Sequence, residues 1–347
     1  LNGNNKDIRF MSGQSEVKLT FLDSMPDGLL DLPAERLHEI LPGPTVLQLA
    51  GQKTEPLFIS VLLHGNENTG WEAMRAILKK YEVLPRSVIL FVGNVAAARD
   101  KKRHLPYQAD YNRIWKGDGD TPEHAMAREL LTWLQQQQLF ASLDIHNNTG
   151  TNPHYACVNR MQSSYLHLAN LFSRTVVYFI KPDSVMSMAM SRICPAVTVE
   201  CGKPDDPRGV AHVIEFVEAA LHLSEFPEHG VARHDVDLFH TVAVVKVPEQ
   251  FSIGIDDNHA DIDLIAEIDR FNFSELPAGT CLGHYRVDHD VVLQAWDEQG
   301  NEVSGRFFEL RNGQIYTRVP VMPSMLTLNT DIIRQDCLCY LMERLPL

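Results

Sequence analysis

The stretch VLLHGNENTG, from Val61 to Gly70, decides how this chain is read. An apolar run stops abruptly at His-Gly-Asn-Glu. Then ENTGWEAMRAILKKYEVL places Trp71, Met74, Ile77, Leu78 and Tyr81 at helical spacing. Strand followed by helix is the unit of a parallel sheet, and the pattern recurs on both sides. Val46 to Ala50, Leu57 to Leu63 and Ser87 to Asn94 read as buried strands, as do Leu139 to His146 and Pro195 to Gly202. Tyr155 to Asn159 and Val176 to Ile180 read the same way. Helices are predicted over Thr121 to Gln138, with Pro122 in the first turn, over Ser163 to Ser173, and over Val210 to Leu223. Met186, Met188 and Met190 alternate in a loop or strand and read as packing residues. Such alternation predicts an α/β fold, a mostly parallel mixed sheet flanked by helices.

After about Glu228 the character changes. DLFHTVAVVKV, DIDLIAEI, YRVDHDVVLQAW and GRFFELRNGQIYTRVPV are short β-rich runs, and Asn312-Gly313 between two of them is a hairpin signal. The expected division is therefore an α/β domain over residues 16–228 and a mainly antiparallel β domain over residues 229–347. Residues 1–15 are polar and read as a disordered tail or a vector-derived remnant.

The 347 residues carry a net charge of −14, which disfavours a sequence-independent nucleic-acid binder. No segment approaches the ~18–20 unbroken apolar residues that span a bilayer. Six cysteines without paired spacings read as reduced thiols in a cytoplasmic protein. The sequence leaves the oligomeric state open, a homo-oligomer included.

In open α/β sheets, ligand sites collect at the carboxyl ends of strands. Three predicted strands end in ionisable residues: His64 with Glu67, His146, and Glu200. Parallel strands would bring all three ends to one edge. Two histidines and a glutamate are a common ligand set for one catalytic Zn2+. Gly65 would let the backbone turn between His64 and Glu67. Glu200 would then remain as an unliganded carboxylate, suited to moving a proton in metal-assisted hydrolysis.

Four ordered motifs carry a specific resemblance: HGNE at His64 to Glu67, DYNR at Asp110 to Arg113, LDIH at Leu143 to His146, and VECG at Val199 to Gly202. Over roughly residues 45–225 the chain resembles the succinylglutamate desuccinylase/aspartoacylase family, a branch of the zinc carboxypeptidase-like superfamily. The resemblance implies that His64, Glu67 and His146 hold zinc and that Glu200 is the general base and acid. It implies that Asn112 and Arg113 grip a substrate carboxylate, a role suited to the planar guanidinium. It also implies an arginine that polarises the scissile carbonyl, matched best by Arg103 with Arg99 as the alternative. Arg192 is a candidate second anion-binding arginine. The segment NNTGTNPHYACVN after His146 departs from the family pattern; Asn147, Asn148, Thr149 and Tyr155 are expected to line the pocket without an assigned role.

The expected activity is a zinc-dependent amide hydrolysis of a small carboxylate-bearing substrate, an N-acyl amino acid deacylation. A metallocarboxypeptidase acting on short peptides would use the same machinery but needs an open cleft. A non-catalytic metal-binding or interaction protein would have no use for Glu200 beside the three ligands.

Overall fold

The computed structural model describes residues 17–346, so the expectation for residues 1–15 lies outside the described residues. Nine strands build most of the main sheet: β1 (Thr20–Leu22), β2 (Thr45–Leu49), β3 (Gly51–Val61), β4 (Leu84–Val92), β5 (Ala141–His146), β6 (Tyr155–Val158), β7 (Thr175–Tyr178), β8 (Ala196–Glu200) and β9 (Asp237–Lys246). Between them lie α1 (Thr69–Lys80), α2 (Val95–Arg99), α3 (Pro122–Leu134), α4 (Ser163–Asn170), α5 (Met186–Met190) and α6 (Pro207–His222). The methionine run is thus a short helix rather than a loop or strand. Met186 and Met190, one turn apart, are both buried.

Strands β4, β3, β5 and β8 are neighbours and run parallel. Every residue of β5 is buried, as a central strand covered on both faces requires. Helix α1 lays Trp71, Ala73, Met74 and Ile77 into the core, and the buried Trp71 indole N–H donates to the Leu32 carbonyl at 2.9 Å. Thr121 caps α3 by accepting the His124 N–H, with Pro122 at the first helical position.

Past residue 228 the chain continues through β10 (Ile253–Ile255), β11 (Ile262–Leu264), β12 (Cys281–Tyr285), β13 (Gln294–Asp297), α7 (Ser304–Phe307), β14 (Phe308–Arg311), β15 (Gln314–Thr317), β16 (Met322–Ser324), α8 (Thr330–Gln335) and β17 (Cys339–Arg344). Five of these strands form a separate sheet in the order β10-β11-β12-β15-β14, antiparallel except for its first pair. Its β14–β15 hairpin turns at Asn312 and Gly313, both at positive φ. The other C-terminal strands extend the main sheet. Strand β9 pairs in parallel with β7 through Asp237 to His240 and, further along the same side, with β13 through Ala243 to Lys246; β17 runs along its other side, and β16 follows β17. This covers β7, which would otherwise leave an unpaired edge. Among the described residues no helix is long and apolar enough to cross a membrane. All six cysteines are free thiols, five of them buried.

The departing segment after His146 has a structural task. Asn152 Oδ1 accepts the Met325 N–H, Thr149 Oγ donates to Thr327 Oγ, and Thr151 Oγ donates to Asp269. A Cβ on Gly150 would lie 1.9 Å from the Leu326 carbonyl oxygen, so only glycine lets the two backbones meet this closely. Gly150→Ala is therefore expected to destabilise the fold by about 1–3 kcal/mol through overpacking. A urea denaturation midpoint equal to wild type would show that the contact is dispensable.

Candidate active site

The register of the parallel strands sets the geometry of the site. Ser60 on β3 pairs with Asp144 on β5, and His146 on β5 pairs with Glu200 on β8. The carboxyl ends of all three strands therefore meet on one edge. Strand β3 stops at Val61, two residues before the expected end. The next residue, the fully buried Leu62, adopts a left-handed conformation (φ 57), at a cost of about 1–3 kcal/mol. The Asn94 N–H, bonded to the Leu62 carbonyl at 2.7 Å, helps hold this turn. Leu62 thus redirects the chain, and Gly65 does something other than turn it. A Cβ on Gly65 would lie 2.2 Å from the backbone of Ala97 and Ala98, so the glycine lets the loop press against α2.

His64, Glu67 and His146 converge, with one donor atom from each lying within 4.8 Å of the others. Glu67 bridges the rings. Its Oε1 lies 2.7 Å from His64 Nδ1 and its Oε2 lies 2.7 Å from His146 Nδ1. The outward nitrogens also meet carboxylates. His64 Nε2 is 3.1 Å from Asp110 Oδ1, and His146 Nε2 is 3.0 Å from Asp144 Oδ2. Asp144 is itself fixed by the Ser60 hydroxyl, which donates to it at 2.5 Å. A carboxylate behind each imidazole selects the tautomer that leaves Nδ1 free as a ligand.

The electrostatics fit a cation at this point. Burial opposes the charge of Glu67, but His64 and His146 outweigh it and hold the carboxyl well below the usual range. Burial likewise opposes a charged His146, but Asp144 and Glu67 raise it well above its ordinary value. A proton is held between carboxylates where a metal ion would replace it. Two imidazoles and a carboxylate, all buried, are a donor set that suits zinc and also accepts other divalent ions.

Glu200 faces the same cavity. Burial pushes its carboxyl up to about 8, with His146 pulling the other way and Glu67 adding to the rise. Its Oε2 is buried without a hydrogen-bond partner, as is the Asn148 side-chain nitrogen. A positive ion held by the neighbouring ligands would pull this carboxyl down.

Arg103 lines the cavity, nearly buried, with Nε donating to Asp110 at 2.9 Å. Arg99 lies at the surface beside Asp100, and Arg192 is exposed and does not line the cavity. Arg113 lines it too, donating to the Asn112 carbonyl and to Asp336. Asn112 is buried in the wall, where its Oδ1 accepts the Met186 N–H at 3.0 Å, so part of its amide is committed to holding α5. Asn147 and Tyr155 line the cavity, whereas Thr149 turns to Thr327.

The cavity, with a volume of ≈ 100 Å³, is closed by residues that sequence reasoning missed. Thr241, Ser324, Met325, Asp336 and Tyr340 all come from the C-terminal region. Strands β9, β16 and β17 bring them there, and no local motif marks them. The supporting carboxylates Asp110 and Asp144 were within reach, since each lies inside a motif already singled out.

Residues 53–216 match the model of the succinylglutamate desuccinylase/aspartoacylase catalytic domain. A search of curated proteins finds no match. Among solved structures, the succinylglutamate desuccinylase from Chromobacterium violaceum is similar with a TM-score of 0.59 and 17% identity, over 89% of this chain and 90% of that one. Murine aminoacylase 3 gives 0.55 and 16%, over 86% and 98%. A succinylglutamate desuccinylase/aspartoacylase from Rhodobacter sphaeroides gives 0.54 and 14%, over 86% and 89%. At these identities the structural likeness is one of fold. Residues 53–216 are thus similar to the succinylglutamate desuccinylase/aspartoacylase catalytic domain.

Proposed function

We propose that the chain is a zinc-dependent hydrolase that cleaves the amide bond of a small carboxylate-bearing substrate, releasing an amino acid from its N-acyl form in the cytoplasm. The observation that carries this reading is the convergence of His64, Glu67 and His146 with a partnerless Glu200 oxygen in one cavity.

His64, Glu67 and His146 would hold the metal, which when bound supplies Lewis-acid polarisation and lowers the pKa of water. The chain's own residues do the rest. Glu200 takes the proton of the attacking water and returns it to the leaving nitrogen. A carboxyl raised by burial is suited to both halves of that transfer. Arg103 donates hydrogen bonds to the carbonyl oxygen as negative charge develops there, an interaction of the kind that contributes about 2.7–4 kcal/mol. Arg113 binds the substrate carboxylate, and Asn112 stiffens the wall between α5 and His146. That binding sets the register of the scissile bond. Asp110 and Asp144 orient the ligand imidazoles.

The small cavity and its C-terminal cover favour an acyl-amino acid over a peptide chain. They speak against a metallocarboxypeptidase, which needs room for an extended substrate.

Replacing either histidine, in His64→Ala or His146→Ala, is expected to abolish stoichiometric zinc binding. Elemental analysis after zinc loading and gel filtration checks this, and a variant that retained one zinc per chain would refute the ligand assignment. Glu200→Gln is expected to keep its zinc while kcat on the best N-acyl amino acid falls by about 10²–10⁴-fold. Wild-type turnover would exclude Glu200 as the proton carrier.

The raised carboxyl also predicts how stability changes with pH. Between the ordinary value of 4.5 and about 8, the folded state binds a proton at Glu200 that the unfolded chain releases. Folding should therefore weaken as pH rises across that window, by at most about 1.4 kcal/mol per pH unit from this group. Urea unfolding of the zinc-free protein should show a shallower decline for Glu200→Gln than for wild type. Parallel curves would mean that Glu200 ionises freely.

A further inference from the structure

Both arginines of the cavity are already engaged by a carboxylate from the far end of the chain. Asp336, between α8 and β17, bonds to Arg113 through Oδ1 and lies 3.6 Å from Arg103 Nη2 through Oδ2. Arg103 also pairs with Asp110 at 2.9 Å. The third cationic side chain lining the cavity, Lys181, pairs with Asp183 at 2.9 Å. Two guanidinium groups thus face two carboxylates in the wall of the site. Arg113 and Asp336 also line a second cavity of ≈ 350 Å³, so the pair stands where the inner cavity meets an outer one.

The consequence concerns charge. One substrate carboxylate can use the donors that Arg113 leaves free. A second would find no cation without a partner and would approach Asp336, a like charge. We propose that Asp336 is a specificity-determining residue, occupying the arginine pair from within the chain so that the site takes N-acyl amino acids with one carboxylate and rejects those with two. This rests on the deacylase reading and names the substrate class within it.

The test uses zinc-loaded wild type, Asp336→Asn, which keeps the side-chain shape, and Asp336→Ala. N-acetylalanine and N-acetylmethionine carry one carboxylate; N-acetylaspartate and N-acetylglutamate carry two. Wild type should prefer the first pair in kcat/KM. Both variants should shift the ratio toward the second pair by about tenfold or more, through KM. An unmoved ratio, or an equal loss of kcat on all four substrates, would overturn the proposal and leave Asp336 as a residue that only positions the arginines. Calorimetric titration with succinate and with acetate separates this from the reading beneath it. Asp336→Asn should bind succinate about tenfold more tightly with acetate little changed, whether or not any acyl-amino acid is hydrolysed. Unchanged succinate affinity would overturn the proposal even in an active deacylase.

Discussion

The Glu67 carboxylate, placed between the Nδ1 atoms of His64 and His146, is the interaction around which this structure is arranged. Three buried ionisable groups at one point would be prohibitively costly to desolvate if each stood alone. They are tolerated because each is backed: Asp110 stands behind His64 and Asp144 behind His146, and the Asn147 N–H donates to Glu67 at 3.1 Å. These partners come from different elements. The cluster is therefore formed only when β3, β5 and the loop holding Asp110 are all in place.

The parallel sheet supplies that coincidence. Parallel register puts the ends of β3, β5 and β8 on a common edge, and the strained turn at Leu62 with the close approach at Gly65 aims His64 back toward β5. Glu200 then sits across from His146 by strand pairing alone. Burial, the same factor that makes the cluster costly, also keeps the Glu200 carboxyl protonated well into the neutral range.

The α/β core is legible in the sequence because its strands are continuous apolar runs that end in polar residues, and continuous burial on both faces leaves that trace. His64, Glu67, His146 and Glu200 are legible for the same reason, each standing where an apolar run breaks. Residues that close the cavity are not. Asp336 meets Arg113 across 223 positions of chain, and its neighbours Cys337 and Leu338 advertise only a buried strand. The β-rich character of the C-terminal region is visible in its turn signals. That four of its nine strands would join the main sheet is not, because β9 alternates buried and partly exposed residues as either sheet would allow. The role of Gly65 is likewise invisible locally, since the obstacle to a side chain is a helix some thirty residues further on.

The parallel pairing of β7 with β9 has a mechanical consequence. The floor and cover of the cavity are not two bodies joined by a tether but parts of one hydrogen-bonded sheet, pinned again where Gly150 meets Leu326. Such a cover cannot swing away on a hinge without tearing a ladder. Molecules reach the inner cavity past the side chains at its rim, where Arg113 and Asp336 border both cavities. The dimensions of the chamber thus belong to the rigid frame, while the side chains that the cover presents to it can change without moving the floor.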